Sequence, residues 1–197
     1  SAMKSVVSTY RCPSDARTAE TSTSNGVVFA THNYPGAGTS HSHGLCGQHG
    51  GAIIGIFSES IGLVNAANTG MIVNNIKLAN ITDGTSNTIS FSEFGQNLQN
   101  SSNCPGAVIN RTQGNIGWGM PGSGGTLFCI RNVQTPNSCW GTNTGSREGA
   151  PSSHHVGGVH GLFLDGRVAF LSETMDGSIW QNIGDYDDGN VVDVSGF

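Results

Sequence analysis

Charge is what this sequence has least of. Charged residues make up 11% of it, and lysine and arginine together number eight in 197 residues. With so few cations and a formal net charge of −5, no basic cluster exists to neutralise phosphates. Nucleic acid is thereby excluded as a partner, and anionic membrane surfaces are disfavoured. Long hydrophobic runs are missing too: no stretch approaches the roughly 18 apolar residues that a membrane-spanning helix requires, and no signal peptide is evident. There is no Cys-x-x-Cys pair, which removes zinc-ribbon and thioredoxin-type sites. A His-Glu-x-x-His helix, a phosphate-cradling glycine loop and a Gly-x-Ser-x-Gly elbow in strand–turn–helix context are equally absent.

Glycine, by contrast, is plentiful at 30 residues, and Ser, Thr and Asn fill much of the remainder. That composition favours β-structure with many turns over a helical bundle, which needs more Ala, Leu, Glu and Lys. The length suits one domain, taken as residues 4–197, with "SAM" at 1–3 read as the remnant of a cleaved tag. Of the five cysteines, Cys129 and Cys139 close the short "CIRNVQTPNSC" loop and form the preferred disulfide. The pairing of Cys12, Cys46 and Cys104 stays open. Loop cysteines with low charge point to an oxidising, extracytoplasmic compartment.

Along the chain, "KSVVSTYRC" (4–12) reads as a short strand stopped by Pro13, and "GVVFATHNY" (26–34) as a second closed by "PGAG". "GAIIGIF" (51–57) is a buried-strand candidate. The turn "TDGTSN" leads into "TISFSEF", whose alternation predicts Ile89, Phe91 and Glu93 on one face. Residues 95–150 read as a long loop-rich insertion anchored by Trp118 and Trp140. Order returns in "VHGLFLDGRVAFLSE", a hairpin with a two-residue Asp165-Gly166 turn. "DGSIWQNIGD" (176–185) predicts a short helix capped by Asp176 or Ser178, with Ile179, Trp180 and Ile183 facing the core.

Several clusters could carry chemistry. "HSHGLCGQH" offers His41, His43, Cys46 and His49, and the hairpin region adds His154, His155 and His160. Imidazole and thiolate suit zinc or copper, yet no spacing matches a known module. Asp185, Asp187, Asp188 and Asn190 present hard oxygens on a glycine-containing loop, as calcium prefers, but the EF-hand alternation fails; a solvated acidic turn is the simpler reading. No cofactor is expected beyond that possible calcium. Trp118 and Trp140 could stack on sugar rings, or form a small core of their own.

The spacing of His155, nine residues, then Asp165-Gly166 is the signature of a bacterial family abundant in planctomycetes, which this chain resembles. "YRCPSD" (10–15), "HNYPGAG" (32–38), "GIFSES" (55–60), "ITDGTSNTISFSE" (81–93) and "SSHHVGGVHGLFLDGRVAFL" (152–171) are similar to that family's blocks, in its order. The family commonly has Asn where His160 stands and Ser where Arg167 stands. Its members have a prepilin-like N-terminal segment, a C-terminal domain of unknown function, and a likeness to the major pseudopilin of type II secretion.

The resemblance implies an α+β, pilin-like fold: an antiparallel β-sheet without its N-terminal helix, a long insertion and a short C-terminal helix. It implies a periplasmic or cell-surface location, anchored by a transmembrane helix that would precede residue 4. Within that frame Asp83 and Asn87 hold a turn, and Glu93 needs a partner, with His155 or Arg167 charge-compatible. Together with Asp165 and Gly166 they form a structural latch closing the hairpin onto the sheet. The expected role is non-enzymatic: a subunit meeting other pilin-like subunits through the absent helix. An extracytoplasmic carbohydrate- or other ligand-binding module is the alternative, and a metal-dependent hydrolase ranks last.

Overall fold

The computed structural model describes residues 2–15, 21–24, 27–38, 76–95, 127–130, 135–137 and 151–192. Among these, seven strands and one α-helix form: β1 (Thr21–Ser24), β2 (Val27–Ala30), β3 (Gly36–Gly38), β4 (Ile89–Ser92), β5 (Leu127–Cys129), β6 (Gly158–Phe163), β7 (Val168–Ser172) and α1 (Gly177–Asn182). β1 and β2 pair as a separate antiparallel ribbon. The other five make one sheet in the order β5-β3-β4-β6-β7.

Four strands of that sheet, β3, β4, β6 and β7, are antiparallel neighbours, as expected. The fifth departs from expectation: β5 runs parallel to β3. It comes from the stretch read as a loop-rich insertion, so residues 95–150 are not wholly peripheral to the sheet. "PGAG", read as a turn, likewise supplies β3. Its neighbours on either side, β4 and β5, impose strand pairing on residues with weak β propensity.

The predicted N-terminal strand over 4–12 does not form. Ala2–Lys4 and Ser8–Tyr10 are short 3-10 turns, closed by bonds from Ser5 N–H to the Ala2 carbonyl and from Tyr10 N–H to the Val7 carbonyl. The apolar pair at Val6–Val7 imitates a strand, but no described strand pairs with it, and local i→i+3 bonds form beside it instead.

The hairpin forms with a corrected tip. Gly166 N–H donates to the Phe163 carbonyl at 3.0 Å and Phe163 N–H to that of Arg167 at 2.8 Å. The loop is therefore three residues, Leu164–Gly166, with Gly166 at φ +90° as the left-handed residue of a bulged turn. Period-two alternation then places Val159, Phe163, Ala169 and Leu171 inward, all buried. The opposite face carries a cross-strand row of Phe91, Leu162 and Val168, with His160 beside Phe170 in the next row. Phe91, Val168 and Phe170 are exposed there, Val168 at 61%.

Helix α1 closes the inner side. Asp176 caps it by accepting from Ser178 N–H at 2.7 Å, and Trp180 and Ile183 are fully buried, with Ile179 packed at the margin. Their apolar partners include Ile89, Phe94, Phe128, Phe163 and Leu171. Among the described residues no helix is long and apolar enough to cross a membrane. The candidates at 51–57, Trp118, Trp140, His41, His43, Cys46, His49, Cys104 and Cys139 lie outside the described residues, so the Cys129–Cys139 bridge does too. Cys12 carries a free thiol.

Candidate functional site

The site begins with an irregularity in β4. Strict alternation would send Ile89, Phe91 and Glu93 to the same side, but the ladder with β6 shifts register between Ile89 and Phe91. Ile89 stays fully buried, Phe91 turns outward opposite Leu162, and Ser92 takes the inner position opposite Gly161. One extra residue in the bulge thus throws Glu93 out of step with Ile89. Its carboxylate swings toward His160, which projects from the outer side of β6.

Glu93 is 5% exposed, so its charge needs donors. Oε2 accepts from His160 N–H at 2.8 Å and lies 3.3 Å from His160 Nδ1. Oε1 lies 3.1 Å from His155 Nε2. The same nitrogen is 3.8 Å from Cys12 Sγ, and the two imidazoles meet edge to face with centroids 4.9 Å apart. Cys12 and His155 are only partly buried, so the cluster has one open side.

Local bonds pin each member. His155 N–H donates to Ser153 Oγ at 3.0 Å, and that hydroxyl donates to the Gly158 carbonyl at 2.7 Å. Between them Gly157 adopts φ +89°, and a Cβ at Gly158 would overlap the Leu171 carbonyl oxygen, so the glycine pair is required for the approach. Cys12 N–H donates to Asn33 Oδ1 at 2.8 Å.

Asn33 is the hub. Its side chain is 1% exposed and its Nδ2 donates to Asp15 Oδ2 at 2.6 Å and to the Phe94 carbonyl at 3.0 Å. Its backbone adds bonds to Tyr10 and Phe94. Asp15 is also 3.5 Å from His154 Nε2. Residues 10–15, 32–36, 92–95 and 152–161 therefore converge on one clasp.

Tyr34 stands at the rim, its hydroxyl within hydrogen-bonding reach of Cys12. Burial, then the electrostatic influence of Cys12 and of Glu93, and finally that hydrogen bond push its phenol up to about 12 from 10.0. The folded state therefore holds this proton more tightly than the unfolded chain does. The associated stability is intact below pH 10 and is lost as pH rises toward 12. Spectrophotometric titration should show one phenol ionising near pH 12, missing from Tyr34→Phe. A Tyr34→Phe difference curve centred at pH 10 would overturn this assignment.

The predicted latch is in fact two structures. Glu93 and His155 belong to the clasp, whereas Asp83, Asn87, Asp165 and Gly166 belong to a second junction at the hairpin tip. There Leu164 N–H donates to the Thr88 carbonyl and Asp165 N–H to that of Thr85. Asn87 Nδ2 returns to the Asp83 carbonyl at 2.8 Å, the self-turn expected of this block. Arg167 belongs to the hairpin tip, where its guanidinium stacks 4.3 Å over Phe163 and donates to the Ser86 carbonyl at 3.0 Å.

The acidic loop uses its carboxylates within its own turn. Asp83 accepts from Asp188 N–H at 3.1 Å and Gly189 N–H at 2.9 Å. Asp185 accepts from Tyr186 N–H, and Asp188 from Asn190 N–H. These carboxylates order a turn that docks on Asp83; together with Asp187 they form no ligand cluster among the described residues, where the one such group is Cys12, Glu93 and His155.

Sequence reasoning passed over Asn33 and Tyr34, and left Cys12, His154 and His160 out of the latch. The available signal was block membership: "YRCPSD" and "HNYPG" are polar segments with no local reason to be grouped, and they meet in space.

These features define an α+β domain built on a largely antiparallel sheet, with a buried carboxylate held by two histidines beside a free thiol. A family model described as "Protein of unknown function (DUF1559)" matches residues 1–178, and the chain belongs to that family. Neither the curated proteins nor the solved structures contain a match to it.

Proposed function

We propose that this chain is a non-enzymatic, pseudopilin-like subunit, held outside the cytoplasm by a hydrophobic N-terminal helix and assembling through it with other pilin-like subunits. The observation that supports this reading best is the outer face of the sheet. Phe91, Leu162 and Val168 form one apolar row across three strands, and Phe170 extends it. A two-faced antiparallel sheet ordinarily presents polar residues to water on its second side. An apolar row there suits an amphipathic helix laid across the strands. The clasp adds a reason for rigidity: it bonds residues 10–15, which would follow such a helix, to the heart of the sheet.

The test uses the full-length protein in its native membrane, with a photo-crosslinking amino acid at Val168. The expected product is a linked peptide joining residue 168 to the segment upstream of residue 4, from protein released by detergent but not by salt. Recovery in the soluble fraction, or linkage only to unrelated proteins, would reject the proposal. Either result is readable without knowing the assembly's composition.

A further inference from the structure

We infer that Cys12, His155 and Glu93 form a binding site for a borderline-soft divalent cation of the zinc class. The inference is independent of membrane anchoring. Its starting point is which nitrogen the neighbours share. In a nucleophilic Cys-His-acid relay the thiol meets one ring nitrogen and the carboxylate the other. Here Cys12 Sγ and Glu93 Oε1 both approach His155 Nε2, at 3.8 and 3.1 Å. Three ligand atoms around one point is a coordination pattern, not a proton relay.

The spacings agree. Bond lengths usual for zinc, about 2.3 Å to sulfur and about 2.0 Å to nitrogen or oxygen, give tetrahedral edges near ~3.5 Å for S···N and ~3.3 Å for N···O. The observed distances differ from these by a few tenths of an ångström, and all three ligand atoms lie within 4.8 Å of one another. The donor set selects the metal. One thiolate, one imidazole and one carboxylate suit zinc, whereas calcium needs six to eight oxygens and magnesium an oxygen octahedron.

The outer layer is also in place. His160 holds Glu93 Oε2 through both its backbone N–H and its ring, leaving Oε1 for the ion. Cys12 is fixed by Asn33, and His155 by Ser153. Such partners orient ligands and raise affinity. The partly exposed side, with Tyr34 at its rim, admits the ion and leaves a fourth position for water. Binding is a proton exchange without redox change: the Cys12 S–H bond breaks as a sulfur–metal bond forms and its proton leaves to solvent, while the hydrogen on His155 Nε2 is given up by tautomerisation to Nδ1 as the nitrogen–metal bond forms.

The experiment titrates metal-free protein with cobalt(II) and with zinc, on a background in which His41, His43 and His49 are alanine so that the other histidine cluster does not contribute. One equivalent of cobalt should produce a sulfur-to-metal charge-transfer band and the intense visible bands of tetrahedral geometry, both displaced by zinc. Zinc should slow alkylation of Cys12 at least tenfold in the same unmutated site, with Cys46 and Cys104 as internal controls in the peptide map. Cys12→Ser should abolish the charge-transfer band, and His160→Ala should weaken zinc binding by roughly tenfold while retaining that band. No stoichiometric cobalt spectrum from triple-alanine protein whose circular dichroism matches that of the parent, or alkylation of Cys12 unaffected by zinc, overturns the inference.

Discussion

Asn33→Ala is expected to lower the unfolding free energy by about 3 kcal/mol or more, because three partners, two of them buried and one partly buried, each lose a bond at once and each such loss costs about 1–3 kcal/mol. Those partners are the Cys12 amide, the Asp15 carboxylate and the Phe94 carbonyl. Alanine keeps the backbone bonds to Tyr10 and Phe94, so the change isolates the side chain. In a chain of this size the loss corresponds to a fall in Tm of about 6–12 °C. Urea unfolding with an unchanged m-value measures it, and a loss under about 1 kcal/mol would show that water satisfies the partners instead. Asn33→Asp, of nearly the same size, would set a second carboxylate against Asp15 and should be at least as damaging at neutral pH.

The second large effect is expected at Trp180. Truncating a fully buried indole costs about 3–5 kcal/mol, and Trp180 is 0% exposed at the centre of the apolar cluster between α1 and the sheet. Trp180→Phe should cost much less than Trp180→Ala, for two reasons. It keeps most of the ring volume, and it removes an indole N–H that has no hydrogen-bond partner among the described residues. Equal losses for the two variants would mean that the N–H is satisfied, contrary to the structure.

Much of the secondary structure was legible because its causes are local. Asp165-Gly166 between apolar runs marks a hairpin, and Asp176 before Ile179, Trp180 and Ile183 marks a capped helix. Even so, the hairpin tip took a third residue, since Gly166 serves better as the left-handed residue of a bulge. The bulge in β4 was not legible, because alternation through "TISFSEF" gives no hint of an extra residue. The parallel pairing of β3 with β5 depends on partners distant in sequence, and so escapes any short window. The clasp was hidden for the same reason. Glu93 and His155 could be singled out as a needy carboxylate and its candidate partner; Cys12, Asn33 and Tyr34 acquire meaning only when four distant segments meet. The acidic loop left two readings open in the sequence, since four oxygen-bearing residues close together suit a cation and the capping of their own turn alike, and the acidic turn was the simpler of the two.

The sequence distances within the clasp also set a timetable. Cys12 and His155 are 143 residues apart, Glu93 and His155 62, and Asn33 and Phe94 61. Such contacts close large loops, whose entropy is recovered only after nearer pairings, such as the β6–β7 hairpin, are in place. The clasp is therefore expected to close late in folding and to open early in unfolding. Interactions absent from the transition state act on the unfolding rate and leave the folding rate nearly unchanged. What Asn33, Glu93 and their neighbours contribute is then chiefly persistence: the lifetime of a folded domain, rather than the speed with which it is made.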